Sequence, residues 1–122
     1  MASHTYASLG ATSPAAFGAW LRHVRVSKGI IQRTLAAAAD MDSSHLGKVE
    51  RGERLPTAAQ VVAMARMLGV AEQAALAQLM AAKMWQECDG DAALAHSTAA
   101  LVQDAAAPYL SIPPVNNRAK KK

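Results

Sequence analysis

Cysteine is nearly missing from this 122-residue chain: Cys88 stands alone, so no internal disulfide is available and a reducing, cytoplasmic location is expected. Aromatic residues reach only 4%, although hydrophobic residues make up 52%. The apolar content is mostly Ala, Leu, Val and Met, which favours packed helices over a β-sandwich. No apolar run approaches the roughly 20 residues of a membrane helix, so no membrane partner is expected. The opening MASHTYASLGATS has neither the charged start nor the apolar stretch of a secretory signal. His4, His23, His45 and His96 are scattered, and no His/Cys/Asp/Glu group has metal-ligand spacing. None of the seven glycines forms a phosphate-binding loop. No catalytic residue, metal or cofactor is therefore expected, and Cys88 reads as an idle or buried thiol.

Positive charge is present but unevenly placed. The formal net charge is +4 with a pI near 9.6. Residues 15–56 hold Arg22, Arg25, Lys28, Arg33, Lys48, Arg51 and Arg54 against Asp40, Asp42, Glu50 and Glu53, a net +3. Residues 57–107 are net −3, and the segment 108–122 is net +4. A basic N-terminal half beside a mildly acidic C-terminal half suits one face for a polyanion and another for a protein.

Helix punctuation organises the chain. Residues 1–12 carry no period and are expected to be a flexible arm. Ser13-Pro14 is an N-cap followed by proline at the first helical position, and Phe17, Leu21 and Val24 recur at helical spacing, giving a first helix over 14–28 closed by Gly29. A second helix over 32–39 ends at Asp40-Met41-Asp42, and Asp42 caps a third over 43–50. Ile30 with Leu35, and Met41 with Leu46, have the spacing of hydrophobic staples. Thr57 to Gln60 reads as a capping box opening a fourth helix, with Val61, Met64, Ala65 and Leu68 on one stripe and Gly69 at its end. A fifth helix over 71–88 presents Leu76, Leu79, Met80 and Met84, and a sixth over 92–107 presents Leu94, Thr98, Leu101, Val102 and Ala105 before Pro108 ends it. PYLSIPPVNNRAKKK is expected to be a disordered basic tail. The expected organisation is thus an arm 1–12, a helical domain 13–88, an extension 89–107 and a tail 108–122.

Two short helices joined by a three-residue turn have the arithmetic of a helix-turn-helix. Between Gln32 and Gly52 the chain reads Q-x-x-L-A-x(9)-L-x-x-V-E-R-G. In Gln32, Leu35, Ala36, Leu46, Val49, Glu50, Arg51, Gly52 and Pro56, and then in Leu68-Gly69-Val70, it resembles the phage-repressor and Cro-like (XRE) family over roughly 17–70. The fold this implies is all-α: a five-helix repressor-like helix-turn-helix domain with an additional C-terminal helix and a flexible basic tail. Leu35, Ala36, Leu46 and Val49 are expected in its core.

The resemblance also implies a site. By motif position Ser43, Ser44 and Lys48 are base-reading candidates, with Gly47 on the same face of the third helix. Gln32, at the first turn of the second helix, is implied to bind a DNA phosphate. Arg22, Arg33, Arg51 and Arg54 cluster around the motif as candidate phosphate clamps, while His45 on the helix shoulder either touches phosphate or is simply solvated. Arg25 is implied to pair with Glu50, tying the reading head to its scaffold. Two departures from the pattern stand out. Ile31 replaces the usual capping residue before Gln32, and Asp40 stands where a left-handed glycine usually begins the turn.

The implied function is a sequence-specific transcriptional regulator, a repressor that binds a pseudo-palindromic operator in double-stranded DNA as a homodimer. Residues 71–107 exceed a minimal reading head, and three uses stay open for them: a dimer interface, extra core, or a groove for another protein. The last would make the chain an antitoxin-type protein that both binds DNA and neutralises a partner.

Overall fold

A computed structural model describes residues 13–110. The arm expected over 1–12 and the tail beyond Leu110 lie outside the described residues. Within them the chain is helical, with α1 Pro14–Ser27, α2 Gln32–Ala38, α3 Ser43–Glu50, α4 Ala58–Leu68, α5 Glu72–Glu87 and α6 Ala92–Leu110, and no strand. Two compact units divide at Asp89, the first holding α1 to α5 and the second α6.

In the first unit, local chemistry sets where each helix begins. The Ser13 hydroxyl accepts from the Ala16 N–H with Pro14 at the helix start. The Asp42 carboxylate accepts from the His45 N–H at 2.7 Å, and Thr57 and Gln60 satisfy each other's backbone N–H in a complete capping box. Helices α2 and α5 are the exceptions, because Ile31 and Ala71 at their N-caps make no side-chain bond. A missing cap typically costs about 1 kcal/mol, so both begin with their first N–H groups uncompensated by an N-cap side chain.

The first four helices end alike. A six-to-one bond closes each, from Ile30 to Arg25, Met41 to Ala36, Glu53 to Lys48 and Val70 to Ala65, with a five-to-two bond inside it. This is the Schellman turn, which needs a left-handed residue one place past the cap. Gly29, Gly52 and Gly69 occupy three of those places, and Asp40 occupies the fourth at φ 58°. Aspartate tolerates that region better than most side chains. The Asp40 turn therefore has the geometry that glycine usually supplies.

These turns fold the helices around one core. Helix α1 packs on α3 and α5, α2 packs on α3 and α4, and α4 packs on α5. Phe17, Leu21, Leu35, Leu46, Val49, Met64, Leu68 and Leu79 are almost wholly buried, with Ala36 and Ala82 between the larger side chains. Ile30 and Met41, the outer halves of the two staples, lie half-buried against this cluster. The α4 stripe falls inward as its spacing implies.

Helix α5 departs from expectation. Its buried residues are Ala75, Leu79 and Ala82, whereas Met80 is 47% exposed. Small alanines let α5 approach its neighbours closely, and that contact, rather than the leucine–methionine stripe, sets its rotation. Helix α6 also departs, because it runs through Pro108 to Leu110 instead of ending before the proline. The absent N–H removes one bond, to the Asp104 carbonyl, and only two helical residues follow, so the last turn survives. None of its side chains is buried, and Leu94, Leu101, Val102, Tyr109 and Leu110 are exposed.

Candidate nucleic-acid interface

The angle between the second and third helices is set from beneath by a buried polar cluster. Arg25 Nε donates to Glu50 Oε2 at 2.6 Å, and its Nη2 donates to Glu50 Oε1 at 3.0 Å. The remaining terminal nitrogen donates to the Ile30 carbonyl at 2.9 Å. Gln32 Nε2 donates to Glu50 Oε1 at 2.9 Å. The Arg25 and Glu50 side chains are only 10% and 2% exposed. One carboxylate thus joins the end of α1, the start of α2 and the end of α3. Planar two-pronged pairing resists rotation as well as separation, so the cluster fixes orientation.

This geometry modifies the part implied for Gln32. The amide lies at the expected helix start but is half-buried, and one of its donors points inward to Glu50 rather than outward.

A second contact holds α3 against the scaffold. A methyl group on Gly18 would lie 2.3 Å from the Val49 carbonyl oxygen and 2.5 Å from that of Glu50. Helix α1 therefore crosses the last turn of α3 where α1 has no side chain. Sequence reasoning missed Gly18. The signal was a glycine in the middle of an otherwise good helix, which is unfavourable unless something needs the space. Gly52 is constrained twice over: its φ is +80°, and a methyl group there would lie 2.6 Å from the Ala15 Cα.

The outer surface of α3 is chemically spare. Ser44 and Lys48 are exposed and Ser43 is half-exposed. Gly47 faces the same way but is covered: a methyl group on it would meet only Arg51 Nη1, at 3.2 Å, within a 4 Å radius. His45 is half-buried and its Nε2 is buried without a hydrogen-bond partner, so it is not the solvated shoulder residue the sequence allowed. Arg51 is exposed, yet its Nε donates to Glu53 Oε2 at 2.7 Å. That bond holds the Glu53 carboxyl below its ordinary range and raises the Arg51 guanidinium, while the nearby Lys48 charge also lowers Glu53. Arg22, Arg33 and Arg54 are exposed and enter no ion pair among the described residues.

Residues 16–79, just over half the chain, match the family model described as a helix-turn-helix domain. The chain belongs to that family. Within it, the motif and its turn are of the phage-repressor and Cro-like type. The restriction-modification controller protein C.AhdI from Aeromonas hydrophila is 35% identical, with 52% of this chain and 89% of that one covered at a TM-score of 0.45. The clp gene regulator ClgR from Corynebacterium glutamicum is 23% identical, with 75% and 92% covered at a TM-score of 0.49. No curated protein matches the sequence.

In the helix-turn-helix, α3 is the second helix, the position from which such motifs read DNA. The candidate base-reading positions form one face of that helix, and the buried cluster lies on the other. Among the described residues no group of three or more His, Cys, Asp or Glu side chains could hold a metal ion. No helix there is long and apolar enough to cross a membrane.

Proposed function

We propose that this protein is a sequence-specific transcriptional repressor that lays α3 in the major groove of a pseudo-palindromic operator and binds as a homodimer. The observation that carries this reading is the arrangement of α3 itself. Its inner face is locked by Arg25, Glu50, Gln32 and the Gly18 crossing, while its outer face offers Ser43, Ser44 and Lys48 to a partner. A rigid backing matters because base-edge hydrogen bonds demand placement to a few tenths of an ångström.

Lys48 suits the paired acceptors of guanine, and the serine hydroxyls discriminate weakly because they both donate and accept. Arg22, Arg33 and Arg54, having no carboxylate partner among the described residues, supply phosphate contacts that position the helix without reading sequence. Gln32 retains one amide proton for a phosphate. His45, half-buried, contributes little beyond its backbone.

The dimer follows from what one copy reads. A single α3 covers half an operator, and two-fold pairing matches a pseudo-palindrome. The exposed apolar residues of α6, and separately Met80 in the first unit, are candidates for that pairing. The same residues are what a second reading would use, in which residues 71–107 capture and neutralise a partner protein while the reading head binds DNA.

Selection of bound sequences from random duplex DNA at two salt concentrations, with sedimentation of the free and bound protein, tests these readings together. The expected result is an inverted repeat with half-site centres about 10 base pairs apart, bound by two copies. A single unrepeated motif bound by one copy would remove the dimer, and no enriched motif would remove sequence-specific reading. A reporter silenced when its promoter carries the selected site, and active when the site is scrambled, would bear out repression.

A further inference from the structure

The Arg51–Glu53 pair is built rather than incidental. The Schellman turn after α3 returns the Glu53 N–H to the Lys48 carbonyl at 2.9 Å, which brings the Glu53 side chain back over the last helical turn. That turn depends on Gly52, whose left-handed φ and contact with Ala15 exclude any side chain. Glu53 Oε2 then accepts a hydrogen bond from Arg51 Nε–H, and Arg51 Nη1 comes to rest over Gly47. A glycine inside an eight-residue helix is otherwise unfavourable, and Arg51 Nη1 lies 3.2 Å from where a methyl group on it would be.

We propose that Arg51 is a base-reading residue, filling the position on the outer face of α3 that Gly47 leaves empty, and that Glu53 is its positioning residue. This rests on the reading of α3 as the recognition helix. The chemistry separates it from a phosphate clamp. A clamp works by net positive charge, and a carboxylate beside it repels the phosphate it should attract. The edge of a guanine carries no net charge but presents two acceptors, O6 and N7, which a guanidinium meets with two parallel N–H groups. Glu53 uses Nε and leaves the terminal nitrogens for that edge. It also removes rotamers that a free arginine would lose on binding. Arg22, Arg33 and Arg54, with no such partner among the described residues, are the charges suited to phosphates.

The test is selection from random duplex DNA with the full chain and its Arg51→Lys, Glu53→Gln and Lys48→Ala variants, together with affinity for non-specific duplex at several salt concentrations. Lysine keeps the charge but presents a flexible ammonium in place of the rigid planar fork that Glu53 orients. Arg51→Lys is expected to lower preference for guanine at one position of each half-site by about 5- to 150-fold, the discrimination of a two-bond arginine–guanine pair. Its non-specific affinity and salt slope should stay as in the parent. Glu53→Gln should weaken the same position by less, and should raise non-specific affinity because a negative charge is removed. Lys48→Ala should affect a different position. An unchanged guanine preference in Arg51→Lys, or a loss spread evenly over all positions, overturns the proposal while leaving the recognition helix standing. No enriched motif in the parent protein overturns the recognition helix, and this assignment with it.

Discussion

Two arginine–glutamate pairs sit at the end of α3, one beneath the helix and one on its outer side. Arg25–Glu50 is shut away from water, two-pronged, and backed by Gln32 and the Ile30 carbonyl. Arg51–Glu53 is more than half exposed at both side chains and bonded once. In water an exposed pair adds little to stability, whereas losing one member of a buried pair strands a charge. The same two residue types therefore serve different ends. The inner pair decides how α3 sits on the domain, and the outer pair decides what α3 shows to a ligand.

Substitutions that separate stability from recognition test this contrast. Arg25→Ala leaves Glu50 buried without its partner and should destabilise the first unit by about 3–5 kcal/mol, read as a shift of the urea midpoint at unchanged slope. A loss below about 1 kcal/mol would mean that the cluster does not hold the fold. Gly18→Ala comes next. The added methyl would lie within 2.5 Å of two backbone oxygens, which cannot yield as a flexible side chain does, so a cost of roughly 1–3 kcal/mol is expected. That variant should also weaken DNA binding by tilting α3 away from α1.

Two further changes act in the opposite direction. Ile31→Ser gives α2 the cap it lacks and should stabilise by about 1 kcal/mol, checked by the same urea titration. Gly47→Ala should stabilise α3 by about 0.5–1 kcal/mol in free protein. Since the methyl would lie 3.2 Å from Arg51 Nη1, the guanidinium must shift, and binding should weaken although the protein is firmer. Parallel gains in stability and affinity would show that Arg51 has no required place over Gly47.

The smallest effect is a pH dependence. The Arg51 hydrogen bond holds the folded Glu53 carboxyl below its ordinary value. A carboxyl lowered on folding adds stability above the unfolded value and loses it as pH falls through the folded one. Glu53→Gln should therefore lower the thermal midpoint slightly near neutrality, with the difference closing in acid. A difference that stays constant across the carboxylate range would mean the pair is absent in solution.

Much of the first unit is legible in the residue order because its helix ends are written in local chemistry. Ser13, Asp42 and the Thr57–Gln60 box mark starts, and Gly29, Asp40 and Gly69 mark stops, through bonds spanning at most six residues. The resemblance carried the Arg25–Glu50 partnership, which spans 25 residues and has no local signal. What escaped was set by packing. Gly18 looks like a weak helix residue until α3 crosses it, and Met80 looks like core until the alanines of α5 turn it outward. Pro108 looks like a stop, but so near the last turn it removes only one bond. The outer face of α3 was harder still, because the placement of Arg51 depends on Gly47, Gly52 and Glu53 together, and none of the three marks a site alone.

The most direct test of the account is to follow backbone amide signals by NMR while the selected operator duplex is added to the full chain. The largest changes are expected at Ser43, Ser44, Gly47, Lys48 and Arg51, with the buried positions Leu46 and Val49 changing less. Largest changes in α5 or α6, with the amides of α3 unmoved, would contradict α3 as the surface that reads DNA.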